Sequence, residues 1–206
     1  EYEGIFQQKM SDVTRRTNAA FMGDGPTRRI VVWDTAILAM TPDEVANVVA
    51  HEAGHLKDKS PSRILFASLA LLPVLAMLAF VLRRLGRSGR LGFDGDHDVA
   101  SLPMAFFLIW LLEFAAGPVS NAYSRGLERK ADRYALELLE QPDAFRSMMV
   151  KVVRTNLADC HPPAWVRVLL HGHPPVMERI GAAEAFARER GIALPEATPE
   201  RFSLPE

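Results

Sequence analysis

Ile64 to Leu82 is a run of 19 residues in which only Ser68 and Pro73 fall outside the apolar set, and Arg83 and Arg84 close it. At about 1.5 Å of helical rise per residue, such a run spans a hydrocarbon core of roughly 30 Å. A second run, Leu102 to Val119, is 18 residues long and is interrupted by Pro103, Glu113, Gly117 and Pro118. The pair is read as a transmembrane helix hairpin, with a buried core hairpin as the alternative. Between the runs, four arginines (Arg83, Arg84, Arg87, Arg90) precede Asp94, Asp96 and Asp98, the composition of a hydrophilic loop over 83–100. Two crossings return the chain to its starting side, so the segments before Ile64 and after Val119 are expected to share one face of the bilayer. Lys57, Lys59 and Arg63 before the first run, with Arg125, Arg129, Lys130 and Arg133 after the second, outnumber the loop arginines. The positive-inside rule then points to the cytoplasmic face. Glu113 inside a span is costly in lipid and is expected to face protein or water.

Whole-chain averages conceal this division. Of 206 residues 49% are hydrophobic and 24% charged, with 24 basic against 25 acidic side chains, as in an ordinary globular protein. That balance excludes a disordered polar tail and a strongly basic nucleic-acid binder, so no nucleic-acid partner is expected. One cysteine, Cys160, leaves no internal disulfide and no Cys-rich metal site, so any metal must be held by His and carboxylate. The chain opens at Glu1 without an initiator Met or a signal peptide, and it is read as part of a longer parent.

Ahead of the spans, Asn18 to Met22 and Arg28 to Trp33 are short β-prone runs around Gly23-Asp24-Gly25-Pro26, which predicts a hairpin. Thr41-Pro42-Asp43-Glu44 is a capping box with Pro at the first helical position, and the helix it starts should end at Ser60-Pro61. Beyond the spans, helices are predicted over 124–140, 144–157 and 176–190, with a Pro-rich tail from Leu194. The expected fold class is mainly α with a small β component (α+β), in one domain of the longer parent. Its parts are 1–63 (β-hairpin and first helix), 64–120 (membrane hairpin) and 121–206 (C-terminal helices).

Inside the capped helix lies His51-Glu52-Ala53-Gly54-His55, the HExxH pattern. Spacing i, i+4 places both imidazoles on one helical face, where they can hold one zinc ion, with Glu52 beside them as general base for a metal-activated water. A catalytic zinc needs a third protein ligand and an open fourth position. On the helix after the second span, Glu128 and Asp132 share a face at i, i+4. Glu128 would complete a His, His, Glu set, and Asp132 could accept the free ring N–H of a ligand histidine. The competing reading is a solvated face, since Arg125, Arg129, Lys130 and Arg133 surround them.

These pieces resemble the integral-membrane zinc metalloproteases of the CAAX prenyl protease 1 type, to which the bacterial HtpX proteases are related. The resemblance rests on Thr17-Asn18-Ala19-Ala20-Phe21, Arg29 to Thr35, the HExxH box, Ser124-Arg125 with Glu128 and Ala131-Asp132, and His173-Pro174-Pro175 with Arg179-Ile180. It implies a zincin-like helix, Glu128 as third zinc ligand and Asp132 in a supporting or proton-donating role. It also implies His173 and Arg179 near the scissile carbonyl, and Asn18 and Ala19 on a strand that accepts extended peptide substrate. The sequence holds a second literal copy of the last element, His161-Pro162-Pro163 with Arg167, and the copy at His173 is preferred because it continues into an amphipathic helix. Tyr usually stands in the family where this chain has Ala20. The implied activity is zinc-dependent endoproteolysis of prenylated CAAX-type or other membrane-associated proteins by an integral-membrane protein, in the inner or plasma membrane if the source is bacterial. The alternatives are HtpX-like membrane-protein quality control and a non-catalytic, zinc-stabilised membrane module.

Overall fold

The computed structural model describes residues 3–23, 25–58, 61–89 and 91–196, with side chains outside 56–71. In chain order the elements are β1 (Gly4–Gln8), β2 (Ala19–Met22), β3 (Arg29–Trp33), α1 (Asp34–Ala39), α2 (Pro42–Asp58), α3 (Pro61–Gly86), α4 (Leu102–Leu139), α5 (Pro142–Asn156), α6 (Ala164–Leu170) and α7 (Val176–Arg190). The chain divides into two compact units, 1–58 with 121–206 and 59–120.

In the first unit the expected hairpin forms: β2 and β3 pair antiparallel, Ala19 opposite Val32 and Met22 opposite Arg29. Gly23 turns the chain with φ +83°, where a Cβ would lie 2.2 Å from the Thr27 carbonyl oxygen, so only glycine fits. β1 was not anticipated. It pairs parallel with β3, giving the order β1-β3-β2 and leaving β2 at an edge. Four of its five residues are exposed, so it lacks the buried alternation that marks a strand in sequence. Asp34, at the start of α1, accepts hydrogen bonds from the main-chain N–H groups of Met10 and Ser11 and from the Ser11 hydroxyl, closing the link from β1.

The core lies between β3, α2, the second half of α4, α5 and α7. Ile30, Val32, Ala50, Ala135, Leu136, Phe145, Met148, Ala183 and Phe186 are all at most 4% exposed. The start of α2 follows from local chemistry, while the expected stop at Ser60-Pro61 falls partly outside the described residues. The Thr41 main-chain N–H donates to Glu44 Oε2 at 2.7 Å, and the Glu44 N–H reaches Thr41 Oγ1 at 3.4 Å, as the capping box requires. Tertiary structure adds a partner that local sequence does not show: Glu44 is 3% exposed and meets Lys151 Nζ of α5 at 2.7 Å, with Ser147 donating to its other oxygen. The capping carboxylate thereby ties the start of α2 to α5.

The second unit contains α3, the loop after it and the start of α4. α4 is long and apolar enough to cross a membrane, and its aromatic residues Phe106, Trp110 and Phe114 are more than half exposed. Glu113 is exposed as well. The predicted span 102–119 and the predicted helix 124–140 are one continuous helix through Gly117-Pro118. Pro118 lacks an N–H but does not break the helix here. Part of the other predicted span, the side chains over 64–71, lies outside the described residues.

Lys151→Met should cost about 3–5 kcal/mol, because it leaves the buried Glu44 carboxylate without its cation. Adding Glu44→Gln, which keeps the cap, should recover part of that loss. Denaturant unfolding of the wild type and these two variants measures both.

Candidate metal centre

α2 carries His51 and His55 on one face, and α4 brings Glu128 against it. The Nε2 atoms of the two histidines are 3.2 Å apart, His51 Nε2 lies 3.4 Å from Glu128 Oε2, and His55 Nε2 lies 3.2 Å from Glu128 Oε1. Three ligands at 2.0–2.1 Å on a tetrahedral ion stand about 3.3 Å from one another. The donor set therefore fits one divalent metal ion, and it is the one such group among the described residues. Glu128 Oε2 strengthens the fit: it is buried and has no hydrogen bond of sound geometry, although His173 Nδ1 approaches it to 2.9 Å.

This geometry depends on Gly54. A Cβ there would sit 2.9 Å from the Ala131 Cα and 3.2 Å from the Ala131 carbonyl oxygen, both fixed backbone atoms of α4. The absence of a side chain lets the two helices approach until a carboxylate on one reaches the imidazoles of the other.

Around the triad, the remaining residues form a connected shell. Asp132, one turn beyond Glu128, places Oδ1 2.9 Å from His51 Nδ1 and so fixes which ring nitrogen faces the cluster. Arg179 of α7 clasps Asp132 with Nε on Oδ2 at 2.8 Å and Nη2 on Oδ1, and its Nη2 lies 3.8 Å from Glu128. His173 stands at the rim with its side chain 72% exposed. Glu52 is half-buried and accepts a hydrogen bond from the main-chain N–H of Phe21 in β2.

The electrostatics follow from burial against pairing. Burial opposes charge on His51, but the bonds to Asp132 and Glu128 outweigh it and push the imidazole up to about 9. A ligand nitrogen must be bare, so metal binding at this face releases a proton. Glu128, nine residues beyond the apolar stretch that ends at Val119, is raised by burial. The close approach of His173, His51 and His55 overcomes that effect and holds it far below the ordinary carboxylate range. Asp132 is likewise lowered, His51 and Arg179 prevailing over burial. Glu52 goes the other way: desolvation by burial raises it despite the nearby histidines.

The sequence-derived set comes together except at one end. Asn18 turns its carbonyl toward β3, accepting from the Trp33 N–H at 3.0 Å. Alternation along an antiparallel ladder then directs the main-chain groups of Ala19 and Phe21 to the outer edge of β2. Of the two His-Pro-Pro-x-x-x-Arg copies, His173 and Arg179 reach the cluster, whereas His161 is exposed with its N–H on Asp159. Sequence alone gave Asn121, Arg125 and Gly54 no part in the site. A signal for two of them was present: Asn121, Arg125, Glu128 and Asp132 are spaced 4, 3 and 4 along one helix, the period of a single face.

Two histidines of an HExxH helix joined by a glutamate from a second helix are the arrangement of a metallopeptidase centre. The chain belongs to peptidase family M48, whose model matches residues 2–187. It is 36% identical over 184 residues to a Bacillus subtilis protein described as uncharacterized metalloprotease YhfN, covering 87% of this chain and 43% of that protein. It is 29% identical over 183 residues to a CAAX prenyl protease 1 homolog of Oryza sativa, with the same coverage of 87% and 43%. A Methanosarcina acetivorans protease HtpX homolog is 30% identical over 145 residues, 68% of this chain and 46% of that protein. The chain thus spans less than half the length of these relatives. Its fold matches the crystal structure of S. mikatae Ste24p with a TM-score of 0.63 at 24% identity, covering 87% of this chain and 44% of that one.

Gly54→Ala should lower affinity for a divalent metal several-fold, up to about thirtyfold. Overpacking against fixed backbone costs about 1–3 kcal/mol, while the gain in helix propensity is at most about 1. Competition with a chromophoric chelator reads the change, and an unaltered affinity would contradict the close-approach argument.

Proposed function

We propose that this chain is the catalytic part of a zinc-dependent membrane endopeptidase, with zinc held by His51, His55 and Glu128. The observation that carries the reading is the mutual spacing of the three donor atoms, 3.2 to 3.4 Å, around a buried carboxylate oxygen without a hydrogen bond of its own. When bound, zinc supplies Lewis acidity, polarising the scissile carbonyl and acidifying water. Glu52 takes the proton from the attacking water and returns it to the leaving amine. Burial raises its proton affinity, which suits a group that must both accept and donate. Asp132 keeps His51 in the ligating tautomer and Arg179 holds Asp132 in place. His173, exposed at the rim, presents its ring N–H to the carbonyl oxygen as charge develops there.

Substrate would add as an extended strand to the outer edge of β2, bonding to the main chain near Asn18 and Ala19. Ala19 and Phe21 carry the outward groups, and Phe21 already touches Glu52, which puts a bound peptide beside the general base. Segments 1–63 and 121–206 form the catalytic body, and 64–120 anchors it as a membrane hairpin with the site on the cytoplasmic side. The likeness to a CAAX prenyl protease 1 homolog favours substrates that are prenylated near the C-terminus. The likeness to a protease HtpX homolog supports a second reading, turnover of membrane proteins more broadly.

In the full-length parent, Glu52→Gln should retain one zinc per chain while losing at least about 10²-fold in cleavage rate. Wild-type cleavage by that variant would remove the mechanism. His173→Ala should lower kcat by about 10²- to 10³-fold. Assaying a farnesylated C-terminal peptide beside labelled casein decides between the two substrate classes.

A further inference from the structure

α6 has seven residues, too few to be stable alone, and the carbonyls of its last turn have no partner within the helix. Side chains of α4 supply those partners. Asn121 Nδ2 donates to the Leu169 carbonyl at 2.8 Å and reaches that of Val168 at 3.4 Å. Arg125 Nη1 donates to the carbonyls of Arg167 at 3.0 Å and His171 at 2.7 Å. Arg125 is 9% exposed, so these charge-assisted bonds are shielded from competing water. The connection lies close on α4 just past them: a Cβ on Gly172 would be 3.2 Å from Ser124 Oγ. His173 is the next residue, and Pro174-Pro175 lead directly into α7.

The segment around His173 is therefore fastened to α4 on both sides. On the α7 side the fasteners are Arg179 on Asp132 and Glu178 on Arg129, the latter at 2.7 Å. On the α6 side they are Arg125 and Asn121. His173 itself is 72% exposed, and the one described contact of its ring is the approach to Glu128. A ring with so little packing around it takes its position from the backbone that carries it.

We infer that Arg125 is a positioning residue for catalysis: its guanidinium pins the α6–α7 connection at Arg167 and His171 and thereby sets His173 over Glu128. The inference rests on the role proposed above for His173. Arg125 touches neither the three donor atoms nor the general base in the described contacts, so its loss should act on the chemical step while the metal remains bound.

A double-mutant cycle tests this on the zinc-loaded, full-length protein with labelled casein as probe. Arg125→Met should lower kcat by up to about 10²-fold, no more than His173→Ala does, with KM changed less than about threefold and zinc still one per chain. In the His173→Ala background the same substitution should cost less than about twofold, because the group it positions is gone. Arg125→Lys, which keeps the charge and donors, should recover part of the rate. Asn121→Ala should show a smaller loss with the same dependence on His173, and it carries the cycle if Arg125→Met does not accumulate. An undiminished penalty in the His173→Ala background overturns the positioning role and leaves the site reading intact. A His173→Ala variant with wild-type kcat removes the role of His173, and the inference with it, while Glu52→Gln still tests the metal mechanism separately.

Discussion

Everything at the centre depends on how closely α2 and α4 approach at Gly54 and Ala131. With both histidines on one helix and Glu128 on the other, no local interaction can build the triad. It exists because Gly54 has no Cβ and Ala131, 1% exposed, has only a methyl. A larger residue at either position would open the donor triangle, whose edges are 3.2 to 3.4 Å. Two small residues out of 206 thus set the scale of the site, and the core around Phe145 and Phe186 supplies the packing that holds the helices at that separation.

From that contact, order spreads along one face of α4. Asn121 and Arg125 hold the end of α6, Glu128 faces the histidines, and Asp132 joins His51 to Arg179. Successive turns of a single helix therefore position three other segments. Pairing also resolves the cost of burying so much charge. Glu128 and Asp132 are each at most 5% exposed, and both are surrounded by His51, Arg179 and, for Glu128, His55 and His173. An unpaired carboxylate at that depth would be neutralised rather than kept ionised. Glu52, with less compensation, is the carboxylate whose proton affinity rises.

Several features were legible in sequence because their causes are local. The hairpin at Gly23, the capped start of α2, the i, i+4 histidines and the limits of α7 each depend on residues a few positions apart. β1 was not legible, since its five residues pair with β3 about 25 positions later and bury almost nothing. The continuity of α4 was missed because the apolar run stops at Val119 and the amphipathic pattern starts at Ser124, yet the helix runs through 120–123. Glu44 was legible as a cap and illegible as the partner of Lys151, 107 positions away.

The sequence by itself determined the chemistry on offer: two imidazoles one turn apart, a glutamate between them, two carboxylates at helical spacing and long apolar runs. It left open whether Glu128 and Asp132 meet the histidines or face solvent among Arg125, Arg129, Lys130 and Arg133, because both outcomes have the same helical period. Only the tertiary structure decided that, by bringing α4 against α2. It also turned Arg125 inward onto the carbonyls of α6 and left Arg129 and Arg133 outside in surface ion pairs. The physical reason is that periodicity specifies which residues share a face, while the partner of that face is chosen by long-range packing.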